Sequence, residues 1–190
     1  MRLRDEKKKE AIFDATIALV NEIGFAEAST SKIAKAANVS PATIYIYYKD
    51  KQDLLTSIYI EVKKRKSSAT MEGFEASAPI KETFQKVWHN SFRFASTYQG
   101  YIQYIEQFAN SPYYDLVEDT QSDDMFKPVR SALAEAARQK LIRKVDFDML
   151  VAFTFYPLAM LSNTRTTKNL RMTPKNIETA FEMAWAAIKL

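Results

Sequence analysis

Apolar side chains recur at the spacing of an α-helix along this 190-residue chain, and no other feature of the sequence restricts the fold as strongly. No stretch shows the sustained apolar and polar alternation of a half-buried strand, and three glycines and six prolines offer few turns for hairpins. The chain is therefore predicted to be all-α, with about nine helices joined by short connections.

Four helices are predicted in the first third of the chain and five in the remainder. Gly24 is placed to end the first helix, and Pro157 should kink the eighth. Gly, Ser and Pro residues cluster between positions 73 and 79, which indicates a domain boundary. We expect one domain at 1–50, a linking helix at about 51–74 and a second domain at 75–190. The expected helices lie at about 5–23, around 33–37, and at about 41–48, 51–74, 79–97, 98–109, 113–141, 146–167 and 174–189.

The composition argues against several kinds of active site. The chain has no cysteine, which removes disulfides and thiolate metal sites, and its three glycines cannot build a phosphate-binding loop. With one histidine and neither metal-ligand spacing nor a nucleophile motif, we expect no enzyme, no metal and no cofactor. The charged N-terminus fits neither a signal peptide nor a membrane span, so a soluble cytoplasmic protein without a membrane partner is expected.

The positive charge of the chain is concentrated near its beginning. Residues 1–70 contain 13 Lys and Arg against 9 Asp and Glu, whereas residues 71–190 contain 14 of each. A basic part joined to a neutral part is what phosphate binding in one and a different task in the other would require. Chance scatter in small counts is the alternative explanation.

A tight turn at Ala37-Asn38-Val39-Ser40 separates two short predicted helices. Ser29, Thr30 and Ser31 offer N-cap oxygens to the helix before the turn. Ser40 is the natural N-cap of the helix after it, and Pro41 suits the first position of that helix because its missing N–H is no loss there. This arrangement, packed on a long first helix, is the geometry of a helix-turn-helix, which predicts binding to double-stranded DNA.

The segment from Gly24 to Leu55 closely resembles the DNA-binding region of the TetR family of bacterial transcriptional regulators. Asn38 stands where the family usually has glycine, Ala42 where a glycine-like residue is common, and Tyr48 where phenylalanine is common. Asn tolerates left-handed backbone, so the turn is retained. The residues that carry the resemblance are Gly24, Thr30, Ile33, Ala34, Ala37, Val39, Ser40, Thr43, Ile44, Tyr45, Tyr47, Tyr48, Lys51, Leu54 and Leu55.

Small and apolar residues at the start of the third helix suit close entry into the major groove, and Ile46 is a further candidate there. Hydroxyl and ammonium groups around them suit contacts to phosphates. Tyr48 shares a helical face with Ile44 and is expected in the core. By chemistry and by the resemblance, Pro41, Ala42 and Thr43 are expected nearest the bases, and Thr30, Ser31, Tyr45, Tyr47 and Lys51 on the DNA backbone. Ser40, the N-cap of the third helix, is a further expected DNA-binding residue.

In TetR-like proteins the C-terminal part binds a ligand and forms the dimer, and the resemblance implies the same here. Aromatic side chains on shared helical faces could line an apolar cavity, and a filled aromatic core is the alternative. The candidate ligand-binding residues are Trp88, His89, Phe92, Tyr101, Tyr104, Phe108, Phe153, Tyr156 and Met160.

One chain has one recognition helix, so two half-sites require a symmetric partner. We expect a homodimer on a palindromic operator, and a repressor that is released by a small apolar or amphipathic ligand. A helical interaction module that has lost DNA binding and an all-α enzyme are the alternatives. The expected dimer residues are Leu161, Ile177, Phe181, Ala184, Trp185 and Ile188.

Overall fold

The computed structural model describes residues 2–117, 120–165, 167 and 169–190, and the regular structure in these ranges is helical. Its helices are α1 (Arg2–Glu27), α2 (Thr30–Ala36), α3 (Pro41–Tyr47), α4 (Lys51–Thr70), α5 (Ile80–Thr97), α6 (Gln99–Ala109), α7 (Thr120–Arg138), α8 (Phe147–Thr154), α9 (Tyr156–Ser162) and α10 (Pro174–Ile188). A short 3₁₀ turn, Tyr114–Leu116, precedes α7. The prediction of an all-α chain is confirmed.

Two interruptions of the helices have local causes. Gly24 has a φ of 80° inside α1, so it breaks the helical backbone where the sequence places a helix end. The helix expected at 146–167 is divided into α8 and α9 at Phe155. Pro157 has no N–H to donate to the carbonyl of Phe153, and its ring crowds that carbonyl, so a break replaces the expected kink.

The helices form two compact units. Described residues up to 64 pack with residues 100–117, and residues 65–99 pack with the described residues from 120 onward. The chain therefore leaves the first unit within α4 and returns to it for α6. This division differs from the expected boundary between 73 and 79, because the buried face of α6 belongs to the core of the first unit.

The core of the first unit supports the short helices α2 and α3. Tyr104 and Phe108 of α6 are fully buried in it, and the Tyr104 hydroxyl donates to the Leu55 carbonyl of α4 at 3.0 Å. The Phe108 ring stacks on Tyr59 with a centroid distance of 4.1 Å. Both residues are expected ligand contacts, and the structure instead makes them packing residues. The buried residues of this core are Ile12, Phe13, Ile17, Val20, Ala28, Ile33, Ala34, Ile44, Tyr48, Leu54, Leu55, Ile58, Tyr59, Val62, Tyr104 and Phe108.

The core of the second unit corrects most of the expected dimer interface. Phe181, Ala184, Trp185 and Ile188 on α10 are buried within their own chain. Leu161 and Ile177 are partly buried and pack against the same core. These residues form the inner face of α10 and of its neighbours. The wide apolar side of α10 packs on α5 and α8, which removes it from water.

Large apolar side chains remain exposed on the outer side of α8, α9 and α10. Phe153 and Tyr156 are each 69% exposed. Met149 lies one turn before Phe153 on α8, and Met160 lies one turn after Tyr156 on α9. α10 packs against α8, which packs against α9. We call this exposed set the outer apolar face, and it consists of Met149, Phe153, Tyr156, Met160 and Met183.

Candidate nucleic-acid interface

The turn between α2 and α3 closes with the hydrogen bonds of a Schellman motif. The Val39 N–H donates to the Ala34 carbonyl at 2.9 Å, and the Asn38 N–H donates to the Lys35 carbonyl at 3.2 Å. Asn38 has a φ of 54°, the left-handed backbone that this motif requires at its position. Asparagine is among the residues that tolerate this conformation best after glycine, so the turn is formed without a glycine.

α3 begins where the sequence predicts, with Ser40 as its N-cap. The Ser40 hydroxyl accepts from the Thr43 N–H at 3.2 Å and shares a hydrogen bond with the Thr43 hydroxyl at 2.9 Å. Pro41 occupies the first turn of the helix. The cap and the proline fix the point at which α3 begins and therefore the direction of its side chains.

One side of α3 is anchored in the first unit and the other faces outward. Ile44 is fully buried and Tyr48, just after the helix, is 6% exposed, as expected from their shared face. Pro41, Ala42, Tyr45 and Ile46 are exposed, and Thr43 is half-buried. The outward side carries no formal charge and is mainly apolar.

α2 supports the outward side of α3 through one hydrogen bond. The Thr30 hydroxyl at the start of α2 shares a 3.2 Å bond with the Tyr45 hydroxyl. Ser31 beside it is exposed, and the hydroxyl of Ser29 caps α2 by accepting from the Lys32 N–H. Thr30 and Tyr45 therefore form a hydroxyl pair that links the two helices.

Tyr47 and Lys51 have partners within the chain. The Tyr47 hydroxyl donates to the Asp5 carbonyl at 3.2 Å, and partial desolvation followed by the Asp5 charge raises the pKa of Tyr47. The Lys51 ammonium donates to the carbonyls of Phe25 and Ala26 at 2.8 and 3.1 Å. Tyr47 thus holds the end of α3 to α1, and Lys51 holds the start of α4 to α1. The spacing of residues in the sequence does not indicate this role.

Two exposed lysines near these helices were not singled out from the sequence. Lys35 lies on α2 and Lys49 lies between α3 and α4, and neither ammonium has an ion pair or hydrogen bond within the described residues. Lys32, in contrast, donates to the carbonyl and the carboxylate of Glu27. The sequence contains a signal that Lys35 is exposed. Lys35 follows two buried residues, Ile33 and Ala34, on a helix with a narrow inner face.

The expected ligand-binding residues do not share one environment. Trp88 is fully buried in the second unit, where its ring N–H donates to the Thr154 carbonyl at 3.0 Å, and Tyr101 packs at the edge of the first core. His89 is half-buried, with its Nε2 3.6 Å from a Glu178 carboxylate oxygen. Phe153, Tyr156 and Met160 are exposed on the outer apolar face, whereas Leu150 and Leu158 of the same two helices are buried.

The second unit contains a cavity of about 500 Å³ between the end of α5, the end of α9 and the segment that leads to α10. Phe92 is the one expected ligand-binding residue among its lining side chains. The others are Ser96, Gln99, Leu161, Ser162, Thr164, Thr167, Leu170, Arg171 and Met172.

Among the described residues, no helix is both long and apolar enough to cross a membrane.

Two family models match separate parts of the chain. The family described as "Bacterial regulatory proteins, tetR family" matches residues 12–58, which include α2 and α3. The family described as "Tetracyclin repressor-like, C-terminal domain" matches residues 79–189. The second match alone extends over more than half of the chain.

Individual relatives agree with these matches. The crystal structure of a TetR family transcription regulator from Marinobacter aquaeolei is 32% identical, has a TM-score of 0.91 and covers 100% of this chain and 99% of its own. An HTH-type transcriptional regulator of Haemophilus influenzae is 24% identical over 192 residues, which is 100% of both chains. A fatty acid metabolism regulator protein of Bacillus subtilis is 35% identical over 81 residues, 43% of this chain and 42% of its own.

The arrangement of α2, the Schellman turn and capped α3 is thus the helix-turn-helix of these relatives, and regulators rather than enzymes are the proteins that share it. The chain belongs to the TetR family of DNA-binding transcriptional regulators.

Proposed function

We propose that two copies of the chain pair through the outer apolar face and bind a palindromic operator as a repressor, which a small amphipathic ligand releases. The observation that carries the proposal is that face, where five large apolar side chains of α8, α9 and α10 are exposed. Large apolar side chains exposed together on neighbouring helices are typical of protein–protein contacts. A two-fold pairing buries it and supplies the second α3 that a palindrome requires.

The length of α3 explains why one copy is not sufficient. α3 has seven residues and presents only four exposed side chains, so it can read only a few base pairs. A dimer doubles the number of base contacts and adds the requirement for a defined spacing between half-sites. Sequence-specific regulation therefore depends on the pairing of two chains.

We assign the DNA contacts as follows. Ser40, Pro41, Ala42 and Thr43 at the start of α3 lie nearest the bases. Thr30 and Ser31 at the start of α2, and Tyr45 on the exposed side of α3, contact the DNA backbone. Tyr47 and Lys51 position this surface through their bonds to Asp5 and to the carbonyls after Gly24, and any phosphate contact they make is secondary. Lys35 and Lys49 provide the main phosphate-binding charges, since their ammonium groups are exposed and without partners in the described part of the chain.

The salt dependence of DNA binding tests this assignment. The affinity of the purified protein for a duplex is measured at several salt concentrations, with Lys35→Ala, Lys49→Ala and a matched control, Lys144→Ala, at an exposed lysine of the second unit. Each phosphate contact contributes about 0.9 to the slope of log K against log salt. We expect the first two variants to lower the slope by about 1 each and the control to leave it unchanged. Equal slopes in all four proteins would refute the assignment.

We further propose that the ligand occupies the cavity of the second unit. The apolar side chains of Phe92, Leu161 and Met172 suit an alkyl chain, and the Arg171 guanidinium suits an acidic head group. A long-chain fatty acid has both parts, and the name of the Bacillus subtilis relative makes it a reasonable first probe.

Oleate is the probe for the ligand test. We expect oleate to raise the melting temperature and to release DNA in the unmodified protein. Arg171→Ala should weaken both effects, whereas Arg138→Ala, at an exposed arginine of α7 that pairs with Glu135, should leave them unchanged. Oleate that changes neither melting nor DNA binding would contradict this choice of ligand class.

A further inference from the structure

We propose that Ile46 reads the C5 methyl group of a thymine in the major groove and thereby sets one base of the operator half-site. The inference rests on the proposed function, because it assumes that α3 enters the groove. It adds the base that is recognised and the side chain that recognises it.

The first observation is the exposure of Ile46. Its side chain is 75% exposed, and no other large apolar side chain in the described part of the chain is more exposed. Ile44, two positions earlier, is fully buried and fills the inner side of α3. Ile46 therefore contributes nothing to the core, and its apolar surface is available on the side of α3 that faces outward.

The second observation is that the polar groups around Ile46 are already bonded to one another. The hydroxyls of Ser40 and Thr43 share one hydrogen bond, and those of Thr30 and Tyr45 share another. α3 has no charged side chain and no amide side chain, the groups that make bidentate bonds to guanine or adenine. Ala42 lies one helical turn before Ile46 and is also exposed, so the two form an apolar stripe.

The chemistry of the major groove limits what such a stripe can recognise. The base edges there present hydrogen-bond donors and acceptors, and the thymine C5 methyl is the apolar group among them. An isoleucine placed on a donor or acceptor removes water from it without replacing the hydrogen bond, which disfavours that base. Contact with a thymine methyl instead removes apolar surface from water on both partners.

The test uses the intact protein and an operator obtained by selection from random duplex DNA. Each thymine of the half-site is replaced in turn by uracil, which lacks only the methyl group. The affinities are measured for the unmodified protein, for Ile46→Ala and for a matched control, Ile60→Ala, at an exposed isoleucine of α4 in the same unit. Circular dichroism melting verifies that both variants fold.

We expect one uracil position at which the unmodified protein and Ile60→Ala lose about fourfold in affinity, the amount that a buried methyl group contributes. Ile46→Ala should bind thymine and uracil equally at that position. Replacing the same thymine by cytosine should weaken binding, and 5-methylcytosine, which restores the methyl group, should recover about fourfold.

The outcomes separate this inference from the function on which it rests. If selected sites bind tightly but the effect of uracil is the same in Ile46→Ala as in the unmodified protein, the role of Ile46 is refuted and operator binding stands. If no sequence is enriched in the selection, operator binding itself is refuted.

Discussion

Asn38 holds the turn of the helix-turn-helix in left-handed backbone, at a φ of 54°. We expect Asn38→Gly to leave the free energy of unfolding nearly unchanged, because glycine adopts this φ without strain. Asn38→Val should lower it by about 1 to 3 kcal/mol, because a β-branched side chain is strained at positive φ. Urea denaturation of the three proteins measures the difference, and equal losses in both variants would contradict the conformation assigned to this turn.

Tyr48 makes the stability of the first unit depend on pH in the alkaline range. Burial, followed by the charges of Asp53, Glu61 and Glu10, raises the pKa of Tyr48 from 10.0 to about 12. Because the folded state binds the phenolic proton more tightly, this stabilisation is complete below pH 10 and is lost as the pH rises through about 12.

Between these pH values, we expect the free energy of unfolding of the unmodified protein to fall by about 2 to 3 kcal/mol more than that of Tyr48→Phe. Denaturant titrations at each pH measure the difference. An equal fall in the free energy of unfolding of the two proteins would show that Tyr48 does not titrate in this way.

The residues that sequence reasoning located correctly are those whose role is local. The cap at Ser40, the proline at Pro41 and the buried position of Tyr48 follow from helical spacing over a few residues. The bonds of Tyr47 to Asp5 and of Lys51 to Phe25 join residues 42 and 26 positions apart, and nothing in the spacing of residues indicates them.

At the scale of helices, α6 shows how an element can be predicted without its partner. The sequence indicates its length well, with 98–109 expected and Gln99–Ala109 observed. Its place in the first core depends on contacts with α1 and α4, such as the bond from Tyr104 to Leu55, which lie far away in the sequence. The aromatic residues of α6 therefore looked like cavity residues.

Phe108 tests the packing of α6. We expect Phe108→Ala to lower the free energy of unfolding by about 3 to 5 kcal/mol, since a fully buried phenylalanine leaves a cavity. Phe153→Ala removes the same side chain from an exposed position and should change the stability of the monomer by about 0.5 kcal/mol or less. Denaturant titration at low protein concentration measures both, and a small loss for Phe108→Ala would contradict the placement of α6 in the core.

α10 shows a related limit. Its sequence has apolar residues over a wide arc, which indicates two buried faces but not which of them packs within the chain. The structure places Phe181 and Trp185 inside and leaves Met183 outside. Most of the residues expected at the dimer interface thus lie on the inner side of α10.

For the whole molecule, the proposed dimer predicts that the outer apolar face determines the state of assembly. We expect sedimentation to show a dimer for the unmodified protein and a monomer for Phe153→Glu, because a charge at the centre of a desolvated interface is costly. Leu141→Glu introduces the same charge at another exposed apolar residue, outside the face, and should remain a dimer. Two dimeric variants would place the interface elsewhere.

The most direct test of the central claim is selection of bound sequences from random duplex DNA by the unmodified protein. The claim is that two copies of α3, held by a two-fold dimer, read one operator. We expect enrichment of an inverted repeat whose half-sites lie about 34–36 Å apart, or a multiple of this distance, so that both copies of α3 enter the major groove on one side of the duplex. Enrichment of a single unrepeated half-site, or of no sequence, would contradict the claim.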